Sequence, residues 1–203
     1  MSMNTVPERL AALRAAMAAN GVAVYLIPVG DPHASEYLPA HYTSLTWFSG
    51  FHGENSNLVV TRTGSALWAD GRYFVQAEKE LAGTEIELQR MGEPGVPTVE
   101  EYCADALNEG EVLGLCGLTA STALVNGLKK ALEKKGASIR TLRLEDELWT
   151  EGRPPCRTPR RGSCRRSMRA SPLPKSWNSC AAGSGNWAAP RSSWASWTIW
   201  HGC

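Results

Sequence analysis

The sequence predicts an α/β fold, a mixed sheet flanked by helices, in its first 152 residues, followed by a tail of a different kind. Three observations carry this reading. Helix and strand signals alternate through residues 1–152. Residues 22–29 form a nearly continuous apolar run, as in a strand covered on both faces. The composition then changes abruptly after Gly152.

Each element has its own justification. Thr5-Val6-Pro7-Glu8 is a capping box with proline in the first turn. Leu10, Leu13 and Met17 then share one helical face, and Gly21 stops the helix. The strand over 22–29 leads into a loop at Gly30-Asp31-Pro32. Residues 57–61 and 65–68 read as strands joined by a tight turn at Thr63-Gly64, and 72–81 as a helix ended by Gly83. Over 84–91, Ile86 and Leu88 alternate with polar residues, the pattern of a half-buried strand. A turn-rich stretch over 92–97 precedes a second capping box, Thr98-Val99-Glu100-Glu101, which opens a helix through Leu107. Residues 112–116 are a strand. A helix from about residue 119 carries Leu124, Leu128 and Leu132 on one side and stops at Gly136. Residues 139–144 form the last strand. A body of this length buries roughly 70% of its unfolded surface, enough to fold independently.

The net charge of +1 conceals a division. All 20 acidic residues lie at or before Glu151, while nine of the 21 basic residues lie from Arg153 onward. The body is therefore at −8 and the tail at +9. The tail also holds four of six cysteines and five of eight tryptophans, yet no Val, Phe or Tyr, and so has little with which to build a core. Arginine and tryptophan together could suggest a nucleic-acid arm, but no recognition motif accompanies them. Cys156, Cys164, Cys180 and Cys203 show no paired zinc-ligand spacing. Neither nucleic acid nor metal is expected as a partner of the tail. No run of about 18 apolar residues suggests a membrane span. The start lacks the basic cluster and apolar core of a secretion signal, so a cytoplasmic protein is expected.

Common catalytic motifs for metallopeptidases, phosphate loops and serine hydrolases are absent from the sequence. Cys103 in a helix and Cys116 at a strand end read as buried and inert. His33, His41 and His52 are loop histidines without metal-ligand spacing. One segment points to chemistry: Leu67-Trp68-Ala69-Asp70-Gly71-Arg72-Tyr73-Phe74 runs from a strand through Asp-Gly into a helix. Asp70 is expected to cap the helix, Gly71 to take a positive φ, and Trp68, Tyr73 and Phe74 to join the core. Arg72 has no structural task in that arrangement. An arginine fixed at a strand end suits a carboxylate or a peptide carbonyl.

Three segments together carry a family resemblance. These are residues 26–37 (LIPVGDPHASEY), 48–53 (FSGFHG) and 68–74 (WADGRYF). In that order they resemble the N-terminal domain of aminopeptidase P, an Xaa-Pro aminopeptidase, a domain shared with creatinase. The likeness covers about residues 7–152 and is closest to the cytosolic three-domain form. It implies a peptidase that removes the residue preceding proline with two metal ions, usually manganese. It also implies that the metal ligands and catalytic histidines belong to a C-terminal domain not found in this sequence. No catalytic residue and no metal ligand is therefore assigned to this chain. In the family the N-terminal domains help form dimers and close one side of the substrate cleft, and the arginine of the Asp-Gly-Arg-Tyr-Phe motif is associated with the substrate peptide. Arg72 is the matching position. Where the family's turn usually reads Gly-Phe-Asp-Gly-Ser-Ala-Gly, this chain has His52 and then Glu54-Asn55-Ser56. Domains resembling this one also occur in proteins without peptidase activity, such as the large subunit of the histone chaperone FACT. The alternative implied is a non-catalytic peptide- or protein-binding module.

The family continues with a proline-rich link, a helix and a second similar domain, which residues 153–203 do not resemble as printed. Back-translated and read from the third base of each codon, residues 175–183 are compatible with K-L-E-L-L-R-G-R, and the stretch from Pro155 with L-P-D-T-P-A-W. Both resemble the family's continuation. The expectation is a domain over residues 1–152 and an out-of-frame, disordered tail over 153–203, the chain being truncated by a one-base deletion near codon 154 and inactive alone.

Overall fold

A computed structural model describes residues 5–156 of the chain. Residues 153–156, the first of the expected tail, are described and bond to His41 and Tyr42, so the expected disorder does not extend to them. The expectations for residues 157–203, disorder among them, lie outside the described residues.

Six strands, β1 (Val24–Pro28), β2 (Asn57–Thr61), β3 (Ser65–Ala69), β4 (Ile86–Arg90), β5 (Val112–Leu115) and β6 (Ser138–Thr141), form one mixed sheet in the order β4-β3-β2-β1-β5-β6. β1 pairs antiparallel with β2 and parallel with β5; β3 pairs antiparallel with β2 and parallel with β4; β6 lies parallel to β5. Five strands thus run one way and β2 runs against them. The carboxyl ends of those five share an edge of the sheet with the start of β2.

Helices α1 (Val6–Ala19), α2 (Ser44–Ser49), α3 (Phe74–Glu80) and α6 (Leu144–Leu148) cover one face, and α4 (Val99–Asp105) and α5 (Thr122–Glu133) cover the other. The strands divide their side chains between the two layers by simple alternation. Tyr25 and Ile27 of β1 join Leu10, Leu13, Met17 and Phe48 in the first core. Val24 and Leu26 join Trp68, Cys103, Leu128 and Leu132 in the second. All five residues of β1 are buried, as its apolar run predicts. Each apolar side chain so buried stabilises the fold by roughly 1.5–3 kcal/mol.

Both capping boxes form. Thr5 and Glu8 exchange side-chain and backbone bonds at the start of α1, and Thr98 and Glu101 do the same at α4. Trp68 reaches across the second layer to donate its Nε1 proton to Pro97 O at 2.8 Å. Cys103 and Cys116 are buried, and burial pushes the Cys103 thiol well above its ordinary value.

Two helices go beyond the sequence reading. α2 and α6 are six and five residues long, and neither has a capping side chain at its start. The last strand covers 138–141 rather than 139–144, because the chain turns at Arg143 into α6. Gly71 does not take a positive φ; it opens a single 3₁₀ turn, Gly71–Tyr73, ahead of α3. Asp70 caps that turn, accepting the Arg72 N–H at 3.0 Å.

Candidate functional site

The shared edge at the carboxyl ends of the strands holds a cleft of about 860 Å³. Its walls come from residues 29–32 and 34–38 after β1, from 42, 43, 45 and 46 around the start of α2, from 52–55 before β2, from 117–122 after β5, and from Arg72. β1 and β5 are neighbours whose chains leave toward opposite faces, one to α2 and the other to α5. That divergence opens a crevice at a sheet edge, the place where open α/β sheets hold ligands.

Asp31 shapes the first wall. Its Oδ1 accepts the backbone N–H of His33 at 3.0 Å and of Ser35 at 2.9 Å, and Ala34 between them takes φ 52°. Burial alone would raise its pKa, but the Ser35 and His33 donors outweigh it and hold the carboxyl below its usual range. Gly30 lets the wall approach the loop after β5. A Cβ there would stand 2.5 Å from Thr119 O, a backbone atom. The opposite wall begins at Gly50, which ends α2 at φ 77°. Phe51 is fully buried behind it, and a Cβ on Gly53 would stand 2.2 Å from the Phe51 ring. His52 donates its backbone N–H to Glu80 Oε2 at 2.9 Å, and Asn55 takes φ 48°. The turn therefore closes with His52, Glu54 and Asn55 in place of the family's usual residues.

Arg72 stands on this wall. Asp70 Oδ1 accepts its Nε at 3.0 Å, and the guanidinium lies 5.3 Å from the centre of the Tyr73 ring. Asp70 Oδ2 accepts from Asn55 Nδ2 at 3.1 Å, and the Tyr73 hydroxyl donates to Glu54 Oε2 at 3.3 Å. The Arg72 backbone and side-chain donors, followed by Asn55, hold the Asp70 pKa at about 2. The Arg72 side chain is 65% exposed, and its two Nη groups have no partner among the described residues. An oriented guanidinium with free parallel donors matches a carboxylate or peptide carbonyl.

Of the loop histidines, His33 and His52 are exposed and only His52 lines the cleft. His41 is partly buried and donates from Nδ1 to Pro154 O at 2.8 Å. Among the described residues, no three His, Cys, Asp or Glu side chains come together to hold a metal ion. No helix among them is long and apolar enough to cross a membrane. Sequence reasoning located Arg72 and the Asp31 loop. It missed the wall over 117–122, whose only local signal was Gly117 after a strand.

A three-layer α/β/α domain with a ligand-sized crevice at its switch point is the class that fold and cleft define. The family model of the creatinase/prolidase N-terminal domain matches residues 9–144, and the chain belongs to that family. Aminopeptidase P2 of Arabidopsis thaliana is 40% identical over 154 residues, 73% of this chain and 22% of the relative. A probable Xaa-Pro aminopeptidase P of Sordaria macrospora is 39% identical over 158 residues, 76% of this chain and 25% of the relative. Among solved structures, X-prolyl aminopeptidase from Caenorhabditis elegans, described as a cytosolic enzyme with a di-nuclear active site, superposes with a TM-score of 0.68 at 33% identity. That match covers 74% of this chain and 26% of the other. The chain thus spans about a quarter of the length of these relatives.

Proposed function

We propose that this chain is the non-catalytic N-terminal domain of an Xaa-Pro aminopeptidase, and that its cleft forms one side of the substrate-binding site. The observation that carries the reading is Arg72, anchored by Asp70 at the cleft with both Nη groups unpartnered among the described residues. In this role Arg72 binds a carboxylate or main-chain carbonyl of the substrate peptide. Among the described residues no three metal-ligating side chains come together, and in this reading the two manganese ions of the whole enzyme are held by its C-terminal domain. Likeness to peptidases over about a quarter of their length supports the same division of labour. The whole enzyme would act in the cytoplasm as a homodimer to which this domain contributes.

The domain organisation belongs to the same proposal: a domain over residues 1–152 and an out-of-frame tail over 153–203. Resequencing the coding DNA across codons 145–165 tests it. An open frame continuing into further domains is expected, and its absence would overturn the frameshift.

Two assays test the function. The purified chain should not hydrolyse an Xaa-Pro peptide with or without manganese, and metal-dependent turnover would overturn the reading. A proline-containing peptide should bind weakly, and Arg72→Ala should weaken that binding by about tenfold or more, the loss of a charge-assisted hydrogen bond. Equal binding by wild type and variant in calorimetry would remove Arg72 from the site.

A further inference from the structure

The segment over residues 39–43, which brings Tyr42 and Thr43 to the cleft wall, has little of its own to hold it. It contains one 3₁₀ turn, Ala40–Tyr42, whose start carries no capping side chain. Its internal bonds are Tyr42 N–H to Pro39 O at 2.9 Å and Thr43 Oγ1 to Ala40 O at 2.9 Å. Something outside the wall must fix it.

We propose that residues 149–154 form a latch that holds this wall in place, with Arg153 as its positioning residue. The latch grips the wall reciprocally. Arg153 Nε donates to His41 O at 3.1 Å, and His41 Nδ1 donates back to Pro154 O at 2.8 Å. Arg153 is itself held on two other sides: Nη1 donates to Asp146 Oδ1, and the guanidinium lies 5.2 Å over the Trp149 ring. Its side chain is only 10% exposed, unusual for an arginine, which rarely leaves water unless paired.

The grip extends behind the wall. Trp149 stacks on Trp47 of α2, with ring centres 5.6 Å apart and planes 17° apart. Arg9 of α1 lies over the Trp47 ring at 4.6 Å and donates to Trp47 O at 2.6 Å. Arg9, Trp47, Trp149 and Arg153 thus form a layered column joining the first helix, the helix behind the cleft and the latch. Stacking and cation–π contacts of this kind are small singly but together set one orientation. Tyr42 and Thr43 line the cleft. The position of the chain at Pro154 is therefore tied to the shape of the cleft, and a pull on the latch is delivered to His41. The inference concerns the wall alone and needs no bound peptide, so it stands or falls separately from the proposed function.

Amide hydrogen exchange on the whole 203-residue chain tests it. In Arg153→Ala, the amides of Tyr42 and Trp47 should exchange faster by roughly tenfold or more, while Leu26 and Val59 in the sheet centre keep their rates. Arg153→Lys keeps the charge beside Asp146 but not the fork, and should fall between the two. His41→Phe keeps a ring beside Tyr42 yet cannot donate to Pro154 O, and should also speed exchange at Tyr42. Unchanged exchange at Tyr42 in Arg153→Ala and His41→Phe would overturn the latch. Equal acceleration at Tyr42, Leu26 and Val59 would also overturn it, since that is global destabilisation.

Discussion

Asp70 and Arg72 show how a capped turn fixes an arginine at the wall of a cleft. One carboxylate oxygen accepts both the backbone and the side chain of Arg72, so the cap that starts the 3₁₀ turn also aims the guanidinium. The depressed pKa has a defined consequence for pH. Its contribution is present above the unfolded value near 3.8 and is lost as pH falls through about 2. Arg72→Ala should move the Asp70 midpoint part of the way back up, because the backbone donor at residue 72 remains; carboxyl shifts in an NMR titration would report it. Glu145 has the opposite sign. It is buried against the Tyr25 hydroxyl at 2.5 Å, and burial raises its pKa. Neutral Glu145 is favoured in the fold, so its contribution is present at low pH and lost as pH rises through the folded value. Glu145→Gln keeps a hydrogen-bond partner for Tyr25 without the charge. It should unfold at higher urea than wild type at pH 8, with the advantage shrinking toward pH 4.

The elements differ in how openly the sequence announces them. Thr5 with Glu8 and Thr98 with Glu101 mark their helices because a capping box satisfies backbone donors by local chemistry alone. Thr98→Ala should therefore cost about 1 kcal/mol in urea denaturation. The run at β1 was legible because a strand buried on both faces leaves no polar positions. α2 and α6 were not, because their reasons are tertiary. α6 reads Leu-Glu-Asp-Glu-Leu, an acidic surface by composition, yet Leu144 and Glu145 are buried against β1. The cleft divides the same way. Asp70 and the Asp31 loop are local turn chemistry, and Arg72 stood out because that turn gives it no structural task, with the family resemblance pointing to the same position. The wall at 117–122 faces Gly30 only because β5 comes to lie beside β1. Gly30→Ala tests that approach. Its methyl group must displace backbone at Thr119, and the variant should lose roughly 1–3 kcal/mol in denaturant unfolding.

At the scale of the molecule, one sheet serves two cores. β1, β2 and β3 each send alternate side chains into both layers, so neither layer keeps its floor if the other is lost. Leu13→Ala on one face and Leu128→Ala on the other should each lower the same single transition, by about 2–5 kcal/mol. Circular dichroism would show two separated transitions if the layers unfolded independently.

The neighbours of β1 also set a timetable for the chain as it is made. One edge is covered early by β2, where Val24 pairs with Thr61, but the other waits for β5, where Val24 pairs with Leu113. During synthesis from the amino terminus, the most apolar strand of the sheet therefore emerges long before its second flank exists. In that interval its bare edge invites pairing with a neighbouring nascent chain. A ribosome that stalled between β3 and β5 would release a fragment prone to aggregate, whereas one that passed α6 would deliver a sheet with β1 flanked on both sides.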